Sequence, residues 1–250
     1  MWKRPPGPLN VWKVVEGYEN LDDGTKIPVK FSIQDVPDTE ERRKEFLDNL
    51  TTHFLAGEPL SKSLRIKEDP EGAGNFKTVW ELGLDQGVGI GCYKLNSNGE
   101  IGDLVGCNSI FIMTEGLGKL MGHMKATFSP KFMKIWGVFD ALVEQADVTK
   151  IFNVTTYISS ISLSVSPEYR GQKLGYHILT ARDEMAKKYG IVATSSMFTA
   201  KPSQSEAARA GFKEYASVNC GDLLDSSGNH VFPNVESKYT KLMMKKFNLA

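Results

Sequence analysis

Leu163-Ser164-Val165-Ser166-Pro167-Glu168-Tyr169-Arg170-Gly171-Gln172-Lys173-Leu174-Gly175 is the stretch that decides how this chain folds. Ile161, Leu163 and Val165 alternate with Ser160, Ser162, Ser164 and Ser166, which is the period-two pattern of a half-buried strand. Pro167 cannot donate to a sheet ladder, so the strand ends there. Arg170 and Gly171 form a turn, and a helix is expected over Lys173 to Lys188. The first N–H groups of a helix lack partners within it, and the helix dipole puts about half a positive charge at that end. An anion is the natural ligand for such a terminus, and Arg170 and Lys173 add full charges beside it. Gly171 and Gly175 let backbone and helix approach closely. On these residues alone two readings stay open, a phosphate-binding turn and an ordinary strand–turn–helix junction. A nucleoside-triphosphate loop fits badly, because Tyr176-His177 follows Gly175 where Lys-Ser/Thr is needed, and the GxGxxG dinucleotide fingerprint is absent.

Outward from this stretch, Lys26 to Val36 alternates as a strand, and Pro37-Asp38-Thr39-Glu40 supplies a turn and a helix cap. Phe46, Leu47, Leu50, Phe54 and Leu55 fall at helical spacing over Glu40 to Leu55. That helix should end near Gly57, since Pro59 pushes Glu58 out of the helical region. Lys77 to Leu84, Val88 to Leu95 and Ile101 to Met113 read as strands, the last two joined by a turn at Asn96-Ser97-Asn98-Gly99. Phe132 to Val148 reads as a helix, Ile191 to Met197 as a strand, and Ser203 to Ala210 as a short helix. Phe212 to Ser217 and Lys238 to Lys246 read as closing strands. Residues 1–25, rich in Pro and Gly, are expected to be an irregular arm before a domain spanning 26–250. The order predicts a single α/β domain with a mixed sheet.

At 250 residues the chain can bury a sizeable core. Lys+Arg and Asp+Glu both count 30, so net charge gives no reason to expect nucleic acid or a membrane surface as partner. No apolar run approaches the roughly 20 residues of a membrane helix, and no apolar segment follows the basic MWKRPPGPLN, so a secretory signal is not expected. Cys92, Cys107 and Cys220 are too few and too scattered for a disulfide framework or a CxxC metal pair. The four histidines show no ligand spacing, so no metal is expected, and a reducing, cytoplasmic compartment is.

LSVSPEYRGQKLG resembles the acetyl-CoA signature of the GNAT superfamily of N-acetyltransferases, Arg/Gln-x-x-Gly-x-Gly/Ala after a Leu-x-Val-x-Pro strand. Arg170 and Gly175 match its ends, and Lys173 stands where the family has its central Gly. His53-Phe54-Leu55-Ala56-Gly57-Glu58-Pro59-Leu60 is similar to the segment after the first helix of the insect arylalkylamine N-acetyltransferases. Pro130-Lys131-Phe132 opening a helix, and Ser203 followed by Ala-Gly-Phe at 210–212, are similar too. The resemblance covers most of the chain from about Lys26 onward.

It implies a GNAT-like, mostly antiparallel sheet flanked by helices, with acetyl-CoA as co-substrate and a small arylalkylamine of the dopamine, serotonin, tyramine or tryptamine type as acceptor. Leu163, Ser164, Val165, Arg170, Gly171, Gln172, Lys173, Leu174 and Gly175 would hold the acyl donor. Glu58 would be the general base, and Thr199 and Ser203, four residues apart, would relay protons. Ser203 also reads as an N-cap with Glu206 completing a capping box. Tyr215 is a weaker alternative acid, and His53 and His177 are further titratable groups near these segments. A polyamine-type or protein amine acceptor, and a CoA-binding module without turnover, are the competing functions.

Overall fold

A computed structural model describes residues 1–249. The elements follow in the order β1 (Val11–Asn20), β2 (Lys26–Asp35), α1 (Glu40–Asn49), a π-helical turn (Leu50–Phe54), α2 (Leu55–Gly57), α3 (Pro59–Ser63) and α4 (Pro70–Gln86). Then come β3 (Ile90–Leu95), β4 (Ile101–Met113), α5 (Glu115–Met124), α6 (Pro130–Gln145), α7 (Val148–Phe152) and β5 (Tyr157–Val165). The chain closes with α8 (Leu174–Tyr189), β6 (Ala193–Phe198), α9 (Lys201–Arg209), β7 (Lys213–Asn219) and β8 (Tyr239–Lys246). The eight strands make one sheet in the order β1-β2-β3-β4-β5-β6-β8-β7. Every neighbouring pair is antiparallel except β5 and β6.

One face of the sheet is covered by α1, α4 and α6, through Phe46, Phe76, Trp80, Phe132 and Trp136. The other is covered by α8, whose Leu174, Ile178, Ala181 and Met185 pack on Phe31, Ile33, Ile90 and Val105. Each of these helices has its apolar residues on one stripe, as helices packed on a sheet require.

Two readings from the sequence are corrected. Lys77 to Leu84 is not a strand but the second half of α4. Thr78, Val79 and Trp80 carry strand propensity, but Gly72, Phe76, Val79, Trp80, Gly83 and Leu84 are buried at helical spacing. Asp69 caps the helix, its carboxylate accepting from Gly72 N at 3.1 Å, and Pro70 follows at the first position. Gly87 stops it at φ +73°. The start signal lies outside the stretch that reads as a strand.

The irregular arm of residues 1–25 contains β1. A tight turn closed by Leu21 N to Thr25 O joins β1 to β2, and Trp12 and Val15 pack on the α8 side of the sheet. Buried Asp35 accepts from Asn10 N at 2.9 Å, Asn10 Nδ2 at 2.6 Å and Trp12 Nε1 at 3.0 Å, tying the arm to β2.

The last residues of β1 lie against the 163–175 turn. Tyr18 N donates to Gln172 Oε1 at 2.7 Å, and Tyr169 Oη donates to Glu19 Oε1 at 3.2 Å. Beside them, a Cβ on Gly17 would stand 2.5 Å from Gln172 Oε1 and 2.7 Å from the Phe31 ring. Gly17→Val should therefore cost about 2 kcal/mol, the usual cost of overpacking. Urea unfolding checks this as a lower midpoint with an unchanged m-value; a midpoint equal to wild type would show that the strand end moves freely.

Candidate active site

The geometry begins where β5 and β6 part. They pair in parallel only at Ile158–Thr194, Ser159–Ser195 and Ser160–Ser196. Residues 161–165 then continue along β4 with no partner on the β6 side. The register on β4 shifts between Ser109 and Ile110, which face Ser162 and Ser160, so Ile161 is the extra residue of a bulge. A bulge bends its strand, here at the point of separation. Trp80 Nε1 holds this segment from the helical face by donating to Ser162 Oγ at 2.8 Å.

The opening leads into a cavity of about 640 Å³ that joins the segments singled out in the sequence. Leu163, Ser164, Val165, Arg170, Gly171, Lys173, Leu174 and Gly175 line it, as do Glu58, Thr199 and Ser203. Gln172 does not, because its side chain turns away to Tyr18. Tyr215 and His177 are also outside the lining, whereas His53 is within it. Burial lowers the pKa of His53.

The turn leaves the start of α8 without a side-chain cap. Pro167–Tyr169 forms a short 3-10 turn, Gly171 adopts φ +80°, and Lys173 stands before α8 at φ +61° with no side chain capping the helix. The left-handed conformation costs a non-glycine residue about 1 kcal/mol or more. Lys173 thus occupies a backbone position that suits glycine. Arg170 does not simply project: its Nε donates to Val165 O at 2.9 Å, closing the turn onto the end of β5.

Glu58 is held firmly. It is 8% exposed and caps α3, Oε1 accepting from Leu60 N at 2.9 Å and Oε2 from Ser61 N at 2.6 Å. Pro59 at the first helical position and the π turn at Leu50–Phe54 set where the carboxylate points. Thr199, also 8% exposed, lies between β6 and α9. Ser203 is not the helix cap, since α9 starts at Lys201 after Ala200; its Oγ donates back to Ala200 O at 2.8 Å from inside the first turn. The capping box with Glu206 is therefore absent, and Glu206 instead pairs with Arg209 at 2.9 Å.

Sequence reading missed two parts of the cavity. One is its aromatic wall, contributed by Phe54, Phe76, Phe111, Phe132, Trp136 and Phe139. Recognising α4 would have put Phe76 on the same side as Phe132. The other is Arg182, which has only 1% of its surface exposed and lies in the middle of α8. It donates to Thr194 Oγ1 at 3.2 Å, Ser196 Oγ at 2.9 Å and Asn108 Oδ1 at 2.9 Å. Burial pushes its pKa down to about 9, which leaves it charged at neutral pH. An arginine in a helix that is otherwise amphipathic carries no sequence signal of such burial.

Among the described residues, no group of three or more His, Cys, Asp or Glu side chains is arranged to hold a metal, and no helix is long and apolar enough to cross a membrane.

No protein-family model matches the sequence, and no curated protein does. Solved structures do match. A protein of the yellow fever mosquito Aedes aegypti, assigned as arylalkylamine N-acetyltransferase 7, is 22% identical, with a TM-score of 0.82 over 99% of this chain and 100% of that one. Arylalkylamine N-acetyltransferase 2 of Aedes aegypti is 21% identical, TM-score 0.76, over 87% of this chain and 99% of that one. The Drosophila melanogaster polyamine N-acetyltransferase that forms N-acetylagmatine is 19% identical, TM-score 0.72, over 87% and 100%. With one mixed, mostly antiparallel sheet split between β5 and β6 and flanked by helices, the chain has the GNAT fold.

Proposed function

We propose that this protein transfers an acetyl group from acetyl-CoA to the primary amine of a small arylalkylamine. The observation that carries the reading is the single cavity. It connects the turn before α8, an unpaired strand edge, a buried carboxylate and an aromatic wall. The residues present suit the acyl donor. The uncapped start of α8, with Lys173 and Arg170 beside it, suits a pyrophosphate. The open edge at 161–165 offers backbone groups to the amides of a pantetheine arm.

An acceptor amine with a lysine-like pKa of ~10.4 is almost wholly protonated at neutral pH, and removing that proton costs about 4–5 kcal/mol. Glu58 takes the proton, directly or through one water. Its two backbone donors keep the carboxylate fixed while it does so. The freed nitrogen lone pair forms the C–N bond at the thioester carbonyl, and the carbonyl π pair moves onto oxygen. A backbone N–H of the strand around Val165 receives that developing charge. When the C=O re-forms the C–S bond breaks, and the sulfur leaves as a thiolate. The nitrogen, left with one proton too many by the attack, loses it as the amide forms, and Thr199 and Ser203 relay that second amine proton to the sulfur. Both substrates are held together throughout, because buried Cys92, Cys107 and Cys220 have no role as an acyl-accepting nucleophile: burial raises the pKa of all three thiols.

The wall favours an aryl acceptor over a polycation. Six aromatic rings line that part of the cavity, against two carboxylates in the whole lining, Glu58 and the Arg209-paired Glu206. A polyamine would need more negative charge than this to replace its water.

Release of free CoA with dopamine, serotonin, tyramine, tryptamine, agmatine, spermidine and a lysine peptide tests the reading. Turnover is expected with the aryl amines and at least ~10-fold less kcat/KM with agmatine and spermidine, since aromatic burial is worth 1.5–3 kcal/mol. Acetyl-CoA binding with no turnover of any acceptor would leave only the binding-module function.

Glu58→Ala should lower kcat at pH 7 by about 10²-fold or more, the usual size of general base catalysis, and leave acetyl-CoA Kd unchanged. Normal turnover in this variant would remove Glu58 from the reaction. Lys173→Gly separates conformation from charge. The fold should gain about 1 kcal/mol from the relieved left-handed residue, seen as a higher Tm. Acetyl-CoA binding should weaken and lose part of its salt dependence; unaltered binding would show that the lysine charge does not reach the ligand.

A further inference from the structure

A full positive charge in the protein interior is costly unless a carboxylate or several dipoles compensate it, and an unpaired one costs several kcal/mol. Arg182 is such a charge. Among the described residues it makes no ion pair, and its three hydrogen bonds go to neutral oxygens. Its Nε has no protein partner. Asp183, next in sequence, attracts the charge without forming an ion pair with it and is itself bonded by Lys245 Nζ at 2.6 Å, and the Phe212 ring centre lies 5.8 Å from the guanidinium carbon. Solvent does not compensate the charge either, since the residue is 1% exposed.

Its place in the fold is specific. The guanidinium reaches from α8 to Asn108 on β4 and to Thr194 and Ser196 on β6, thereby crossing β5. Asn108 Nδ2 continues the network to Ser160 Oγ at 2.7 Å and Ser162 O at 2.6 Å, the two residues flanking the bulge at Ile161. Ser196 and Ser160 are the last pair before β5 and β6 part. A charge that no carboxylate bonds therefore lies at the fork, and Arg182 lines the cavity there with Ser160, Ser162 and Ser196.

We propose that Arg182 is the fixed positive charge against which acyl transfer develops its negative charge, first on the thioester oxygen and then on the departing sulfur. This rests on the reading of the cavity as an acyl-transfer site. Arg182 does not touch the reacting atoms; it acts through the low-dielectric interior, where a fixed charge is felt far more strongly than in water. The proton and electron movements are unchanged: the C–N bond forms, the C–S bond breaks, Glu58 receives one amine proton and the departing sulfur the other. The neutral partners orient the charge without cancelling it, which a carboxylate would do. That accounts for a buried arginine surrounded by Thr, Ser and Asn.

Three variants of the full-length protein test this, each checked by circular dichroism and thermal melting. Arg182→Met should lower kcat by on the order of 10- to 100-fold, with KM for acetyl-CoA within about three-fold of wild type. Arg182→Lys keeps the charge and loses the fork contacts, and Thr194→Val keeps the arginine and removes one contact. Both should retain kcat within about three-fold. A folded Arg182→Met protein with wild-type kcat overturns the inference. So does a loss beyond about ten-fold in folded Arg182→Lys or Thr194→Val, which would make the residue a strand clamp; these two decide the matter even where Arg182→Met does not fold. Wild-type protein that turns over no acceptor removes the acyl-transfer reading and this inference with it. Wild-type turnover with insensitivity to Arg182 removes this inference alone.

Discussion

Everything about the site follows from two strands that stop pairing. A parallel ladder between β5 and β6 would satisfy its backbone groups along its whole length, yet only three residue pairs form before the strands diverge. Residues 161–165 keep one ladder, to β4, and leave the other edge open toward the cavity. Open backbone edges are normally suppressed in folded proteins because they invite other chains. This one faces a cavity that the helices and the 163–175 turn line.

Side chains reach the fork from both faces of the sheet. Trp80 bonds Ser162 from the α4 face, and the Arg182 guanidinium bonds Asn108, Thr194 and Ser196 from the α8 face. The turn beyond β5 is held by Arg170 against Val165 and by Gln172 against β1. The N-terminal hairpin is thus part of the support of the 163–175 turn, not an appendage. On the acceptor side, Glu58 is fixed by the helix it caps, so a carboxylate with a stabilising local role can also face the cavity.

Polar groups in the interior are arranged by strict economy: oxygens of Ser, Thr and Asn gather around one cation, while the acceptor end is lined by aromatic carbon. The two halves suit two different tasks, stabilising charge that appears during reaction and enclosing an apolar ring.

Local signals were enough for much of this. The alternating serines ended by Pro167, then Arg170-Gly171 and a helix, marked the turn. Pro59 marked Glu58 as a residue outside the helix, and Asn98-Gly99 marked the β3–β4 hairpin, because each is governed by backbone sterics within a few residues. The segment 77–84 failed because β-branched and aromatic residues fit either a strand or a buried helix face, and tertiary burial chose the helix. The strand in 11–20 was hidden because its stabilising partners, Asp35 and the α8 side of the sheet, are remote in sequence. The same holds for the aromatic wall and for Arg182. By itself the sequence determined most of the order of elements, the strand–turn–helix of 163–175 and the place of Glu58 just outside a helix; the tertiary structure alone decided the fork, the cavity and the charge beside it. Those depend on which distant groups exclude water together, and no short stretch of chain encodes that.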